Sequence, residues 1–389
     1  MKTRAFVFAL LLTAAVLFAP VFPKSEVSAG SVSADAEFDK FCFDDIDALY
    51  IPASAAVLME AESGMVYFSK APRKRLPNAS TTKIMTSLLA CELLAPDTVI
   101  TVTEDTAGIE GSSVYLQAGE KLTCEELVYC AMLRSGNDAA YTLAKACGGS
   151  IDNFVALMNL RARSMGLRDT HFANPAGLPD ENHYSSAYDL AVMTCEALKN
   201  EAFAKIAATE RISVCGGKRY LVNRNRLMSL YGGMIGVKTG YTPQAGRCLV
   251  TAATRNGVTL VAVTLNDNDQ WSDHRRMLDH GFGTLERVTV AEKGALCTEL
   301  KIAGGESESV KVSNPEAIAL VLPRGAKLFC EPERRFLAYA PVKRGENMCR
   351  AVVYADGNPV LSIPLCAENG VETAKISLFQ KLTGKRWDK

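Results

Sequence analysis

The sequence predicts an α/β protein in which an antiparallel sheet between helices forms a first, larger domain and a small β-rich domain follows. Three observations predict it. Apolar residues recur at helical spacing through the first half of the chain, with strand-like runs before and after them. Cys248 to Thr254 and Val258 to Leu265 flank Asn256-Gly257, a dipeptide suited to the positive-φ positions of a tight hairpin. After Gly281-Phe282-Gly283 the helical spacing gives way to short β-rich runs. At 389 residues the chain exceeds the usual domain of about 100–200 residues, and 48% hydrophobic content supplies a sizeable core.

Taken in order, the N-terminus carries Lys2 and Arg4, an apolar run from Ala5 to Ala19, then Pro20 and small residues at Val27-Ser28-Ala29. That is the three-part pattern of a secretory signal, with cleavage expected after Ala29 and Val32-Ser33-Ala34 as a second site. The run is short for a membrane span of about 20 residues, so residues 1–29 are expected to be a removed signal and 30–44 a linker. The protein is then exported, to the extracytoplasmic face of the membrane or to the wall. Val57 to Tyr67 reads as a hairpin turning at Ser63-Gly64. Pro77 and Asn78 break the chain, and Ile84, Met85, Leu88, Leu89 and Cys91 predict a helix starting at Ser80. Leu127 to Cys147 and Ile151 to Met165 read as further helices, and Met234-Ile235-Gly236-Val237 as a buried strand. The first domain is placed at 45–285. A second, of β-sandwich type, is placed at 290–372, with runs at Ala317 to Leu322 and Arg350 to Tyr354 and a turn at Asp356-Gly357-Asn358.

Three short motifs fall in one order across the first domain: Ser80-Thr81-Thr82-Lys83, Ser135-Gly136-Asn137 and Lys238-Thr239-Gly240. Their first residues are 55 and 103 positions apart, so they meet only through a fold. A serine hydroxyl needs a base to take its proton as it attacks a carbonyl. On a helix, residues three apart share a face, which puts the Lys83 amine beside the Ser80 hydroxyl. At a helix start the Ser80 N–H is free to bind an oxyanion, and nearby cations favour a neutral Lys83. Lys238 beside Thr239 suits a substrate with a free carboxylate, Gly240 lets a substrate backbone lie close, and the N–H of Tyr241 is the candidate second oxyanion donor. Ser135 is placed to relay a proton and Asn137 to hold an amide. Each triplet alone is a common turn, strand end or helix start. Their order, spacing and context together make a serine acyltransferase site.

At these residues the chain resembles the low-molecular-weight penicillin-binding proteins that are serine-type D-alanyl-D-alanine carboxypeptidases. The resemblance includes Leu76 to Thr86, Met132 to Ala140, Gly236 to Thr242, and Phe172 to Leu178 with His183-Tyr184-Ser185, and covers roughly residues 45 to 370. It implies a β-lactamase/transpeptidase-like catalytic domain followed by a β-rich C-terminal domain. It also implies Ser80 as acylated nucleophile, Lys83 as general base, Ser135 as proton relay, Asn137 as substrate holder, and Lys238 with Thr239 as carboxylate binders. The implied substrate is a peptidoglycan stem pentapeptide ending in D-Ala-D-Ala, and the implied inhibitors are β-lactams. Arg247 and Arg275 are candidates for an extra carboxylate ligand.

Two other functions use the same motifs. A class A-like β-lactamase needs a glutamate to activate a deacylating water, and Glu181 lies in the right part of the chain, in surroundings unlike that enzyme's loop. A non-catalytic wall-binding protein is disfavoured because all six catalytic and binding side chains are present. Formal net charge is zero, which points to no nucleic-acid partner. His171, His183, His274 and His280 lack metal-ligand spacing, so neither metal nor cofactor is expected; His183 is a candidate for the cleft border. Many of the twelve cysteines sit in apolar contexts that suit free thiols, with Cys124 and Cys130 open as a bridging pair. The tail, 374–389, mixes Lys375, Lys381, Lys385, Arg386 and Lys389 with Ile376, Leu378, Phe379, Leu382 and Trp387, a composition that can lie on an anionic membrane surface.

Overall fold

The computed structural model describes residues 49–333 and 337–375. The expected signal peptide, the linker and nearly all of the basic tail lie outside the described residues.

The first domain is built on strands β1 (Ala55–Glu60) and β2 (Val66–Lys70), a 3-10 turn (Ala79–Thr82) and helix α1 (Lys83–Leu93). A small ribbon, β3 (Val99–Thr101) with β4 (Lys121–Thr123), leads to α2 (Cys124–Leu133), α3 (Asn137–Gly148), α4 (Ile151–Ser164), α5 (Ala187–Leu198) and α6 (Glu201–Ala207). A second ribbon, β5 (Arg211–Val214) with β6 (Arg219–Val222), and the short α7 (Leu227–Leu230) precede β7 (Met234–Thr242), β8 (Gly246–Arg255), β9 (Val258–Leu265) and α8 (Gln270–Thr284). The five long strands form one antiparallel sheet in the order β2-β1-β9-β8-β7, which leaves β7 at an edge.

Period-2 alternation explains the two cores. Ala55, Val57 and Met59 of β1, with Val250, Ala252, Val261 and Val263, face the helical layer around α1. Ala56 and Leu58, with Ala253, Leu260 and Ala262, face α8 and the second domain. Helix α1 is buried from Lys83 through Ala90, which is why its sequence is apolar on every face except at functional positions.

The expected hairpins form as read: Gly64 (φ 73) turns β1 into β2, and Asn256 (φ 51) with Gly257 (φ 75) turns β8 into β9. Two expectations need correction. The helix after Pro77-Asn78 begins one turn later than Ser80, because residues 79–82 wind as a 3-10 turn before α1. The single helix expected over Leu127 to Cys147 is two, broken at Ser135, whose φ of 63 no α-helix accommodates. The strand read over Met234 to Val237, with Lys238-Thr239-Gly240 at its end, is β7, which runs on to Thr242.

The second domain contains a pair, β10 (Leu285–Ala291) with β13 (Ile318–Pro323). Beside it lies a six-stranded sheet of β11 (Cys297–Ala303), β12 (Ser309–Ser313), β14 (Leu328–Pro332), β15 (Ala338–Tyr339), β16 (Asn347–Ala355) and β17 (Asn358–Ala367). Its core is continuous with the α8 side of the first domain, and the buried Tyr67 hydroxyl of β2 donates to the Val321 carbonyl of β13. The described cysteines are all free, Cys124 and Cys130 among them on α2. Among the described residues, no helix is long and apolar enough to cross a membrane.

Candidate active site

The 3-10 turn places Ser80 half-buried at the head of α1, and the i, i+3 relation brings the Lys83 amine to 3.0 Å from Ser80 Oγ. Lys83 Nζ also lies 2.7 Å from Asn137 Oδ1 and 2.8 Å from the Ala176 carbonyl. Both of those oxygens are acceptors. Three oxygens thus surround the amine: an ammonium gives each of them one N–H, whereas a neutral amine gives its two hydrogens to Asn137 and Ala176 and turns its lone pair to the serine hydroxyl. The environment favours that neutral form. Lys83 has no exposed surface, and its pKa is pulled well below the ordinary lysine value, by burial first and then by the charges of Lys238 and Arg224, with Asp138 opposing.

Asn137 opens α3, and its own N–H donates to the Ser112 carbonyl (2.7 Å). Its carboxamide is engaged at both ends, Oδ1 by Lys83 and Nδ2 by the Glu110 carbonyl at 2.5 Å. The carboxamide expected to hold a substrate amide is therefore occupied by the Lys83 amine and a backbone carbonyl. Ser135 sits in the break between α2 and α3, 2% exposed, and its hydroxyl makes no hydrogen bond among the described residues. The break has a cause in Asp138. That buried carboxylate accepts from Ser113 Oγ and from the N–H groups of Val114 and Leu116, tying the loop over the start of α3.

Strand β7 runs alongside the nucleophile turn. A Cβ on Gly240 would stand 3.1 Å from the Ser80 nitrogen and 3.1 Å from the Asn78 carbonyl, so glycine is what permits the approach. Lys238 is 1% exposed, donates to the Thr239 carbonyl at 2.9 Å, and has its pKa lowered to about 7, by burial and then by Arg224. Thr239 is half-buried, and Tyr241 stands 62% exposed beyond it.

Arg224 is the cation that sequence reasoning passed over. It lies in Asn223-Arg224-Asn225, which reads as an ordinary turn, yet its charge acts on both lysines and its Nη1 donates to Ser112 Oγ at 2.8 Å. Of the two candidate arginines, Arg247 pairs across the sheet with Tyr241 of β7, and Arg275 lies on α8. Arg247 is exposed on β8, its guanidinium 5.7 Å from the Tyr241 ring. Arg275 is exposed on α8 and acts on Tyr231, away from Ser80. Glu181 is exposed, with no hydrogen bond among the described residues.

The loop after Phe172 completes the site with backbone atoms. Asn174 Oδ1 accepts from the N–H groups of Ala176, Gly177 and Leu178, a turn that delivers the Ala176 carbonyl to Lys83. His183 is buried, at 3% exposure, with its Nε2 2.7 Å from Thr82 Oγ1 in the turn that carries Ser80. Among the described residues no three His, Cys, Asp or Glu side chains are grouped to hold a metal.

The family model for D-alanyl-D-alanine carboxypeptidase matches residues 44–269, and the model for the C-terminal domain of penicillin-binding protein 5 matches 285–373. The D-alanyl-D-alanine carboxypeptidase DacF of Bacillus subtilis is 32% identical over 351 residues, 87% of this chain and 90% of the relative. The D-alanyl-D-alanine carboxypeptidase of Streptomyces sp. K15 is 33% identical over 255 residues, 60% of this chain and 88% of the relative. A crystal structure of penicillin-binding protein 5 from Haemophilus influenzae superposes with a TM-score of 0.75 at 29% identity, covering 83% of this chain and 98% of that one.

Proposed function

The chain belongs to the D-alanyl-D-alanine carboxypeptidase family and is a penicillin-binding carboxypeptidase of the cell wall; on that premise we propose how its residues divide the reaction. Ser80 is the nucleophile and neutral Lys83 its base. As Ser80 Oγ bonds to the carbonyl carbon of the penultimate D-alanine, its proton passes to Lys83 Nζ. The N–H groups of Ser80 and Tyr241 hold the oxyanion, while Lys238 and Thr239 hold the terminal carboxylate beside Gly240. The C–N bond then breaks, and the departing D-alanine amine takes a proton through Ser135. Water, deprotonated by Lys83, hydrolyses the ester to release a stem shortened by one residue. Asn137 keeps the Lys83 lone pair aimed at Ser80.

One observation carries this reading: Lys83 Nζ stands 3.0 Å from Ser80 Oγ, held there by Asn137 Oδ1 at 2.7 Å and the Ala176 carbonyl at 2.8 Å. The substrate is a peptidoglycan stem pentapeptide, and β-lactams acylate the same serine and leave slowly. Intact mass after brief penicillin treatment, beside D-alanine release from a synthetic pentapeptide, tests it with Ser80→Ala as control. An adduct and D-alanine release that both vanish in the variant support the reading. Penicillin turnover without D-alanine release would instead indicate a β-lactamase, and neither event would indicate a wall-binding protein.

Export by the N-terminal signal, and contact of the basic and apolar tail with an anionic membrane surface, complete the proposal. Deleting residues 374–389 is expected to move the protein from the membrane to the soluble fraction; unchanged fractionation would remove the tail from the account.

A further inference from the structure

His183 lies outside the three motifs, yet the turn that carries Ser80 is hydrogen-bonded to it. The N–H of Ala173 donates to His183 Nδ1 at 3.1 Å, so Nδ1 carries the lone pair and the ring proton is on Nε2. Nε2 lies 2.7 Å from Thr82 Oγ1 and donates to it. Thr82 Oγ1 also accepts from Asn78 Nδ2 at 3.1 Å and donates to the Ala79 carbonyl at 2.8 Å, so both lone pairs and the hydrogen of this hydroxyl are committed. Ala79 immediately precedes Ser80 and is held at φ 47, a left-handed conformation that alanine does not adopt without support. Its carbonyl is packed so closely by Gly177 that a Cβ there would stand 1.9 Å away.

We propose that His183, as its Nε2–H tautomer, is a positioning residue for acylation: through Thr82 it holds Ala79 left-handed and so keeps Ser80 Oγ within reach of Lys83. The same ring ties Ala173, at the start of the loop whose Ala176 carbonyl orients Lys83, to the turn that carries the nucleophile. One imidazole thus registers base and nucleophile against each other. Burial pushes the ring down to about 4, with Asp180 opposing, which keeps it neutral through the neutral pH range. A charged ring would turn an Nδ1–H toward the Ala173 N–H, donor against donor. The inference rests on Ser80 being the nucleophile.

Two substitutions separate the arms of the imidazole. In His183→Gln the side-chain amide reaches where Nε2 was and keeps a donor to Thr82. In His183→Asn the amide oxygen stands where Nδ1 was, keeps an acceptor for Ala173, and falls short of Thr82. Both lose the edge contact with Phe172, so both serve at comparable loss of Tm. The readout is the second-order rate of penicillin acylation, followed by intact mass. His183→Asn is expected to acylate on the order of 100-fold slower, as for a nucleophile displaced by about an ångström, with the rate largely recovered in His183→Gln. Equal rates in the two variants, tracking Tm alone, would overturn the proposal. Should either fail to fold, Thr82→Val against Thr82→Ser asks the same question, with the serine expected to retain the rate that the valine loses. Fully additive losses in His183→Asn/Thr82→Val would also count against it. A penicillin adduct persisting in Ser80→Ala would overturn the nucleophile assignment instead, so the two failures are distinguishable.

Discussion

At the scale of single residues, the site is governed by two lysines kept out of water. Arg224 lowers both, so Arg224→Gln is expected to move the rising limb of the pH profile of penicillin acylation to higher pH, because Lys83 then releases its proton less readily. Acylation rates measured from pH 5 to 10 would show it; an unmoved limb would mean that Arg224 acts on neither amine. Lys238 has a consequence for stability. Its folded value is about 7 against an ordinary 10.5, so between these values the unfolded chain holds a proton that the folded chain does not. Stability then rises as pH goes from 7 toward 9, by up to about 1.4 kcal/mol per pH unit for this one group. Above pH 9 the opposite linkage takes over, since unfolded thiols ionise while buried Cys195 and Cys248, raised to about 12, stay protonated. Urea unfolding across pH 6–10 is expected to give a maximum near 9, and Lys238→Met to flatten its acid side.

At the scale of elements, two turns with different duties allow a contrast. Thr123 caps α2 in a reciprocal box with Glu126, far in function from the chemistry. Thr123→Ala is expected to lose about 1 kcal/mol of stability and leave acylation unchanged. Gly177, at φ 82 and pressed against the Ala79 carbonyl, admits no side chain. Gly177→Ala is expected to lose more stability, roughly 3 kcal/mol, and to lose acylation as well, because the atom it strikes belongs to the nucleophile turn. Thermal melts beside penicillin labelling compare the two variants. Two of the three motifs were legible in the sequence because short spacing sets their geometry: Ser80 and Lys83 three apart across one turn, Lys238 to Tyr241 along a strand. The break at Ser135 was not legible. Leu127 to Cys147 is helical by composition, and the interruption comes from Asp138 binding a loop more than twenty residues earlier. The Ala176 carbonyl left no side-chain signal, and Arg224 is functional only because the fold carries a turn to the two lysines.

At the scale of the molecule, the groups proposed for catalysis, Ser80, Lys83 and Ser135, all lie in the first domain. The contacts between the domains include the Tyr67–Val321 hydrogen bond and the Arg287–Glu62 ion pair over a shared apolar core. A chain ending after residue 284 is therefore expected to keep its penicillin acylation but lose about 3 kcal/mol, lowering Tm by roughly 5–10 °C. The Streptomyces relative, most of whose length aligns to 60% of this chain, shows that the family includes shorter members. Labelling with a fluorescent penicillin and calorimetry on the shortened chain would test both halves of that expectation.

The pairing of β1 with β9 carries one more consequence. Val57 lies against Val263, so the strand that begins the sheet waits for a partner some two hundred residues downstream. As the polypeptide leaves the ribosome, residues 55–60 have only their hairpin with β2 on one side until residue 265 has been made, and closing so long a loop on the other side is slow on the entropy scale of chain collapse. The nucleophile turn, which leans on β7 for its shape, waits with them. Assembly of the site is thus a late event in the life of the chain.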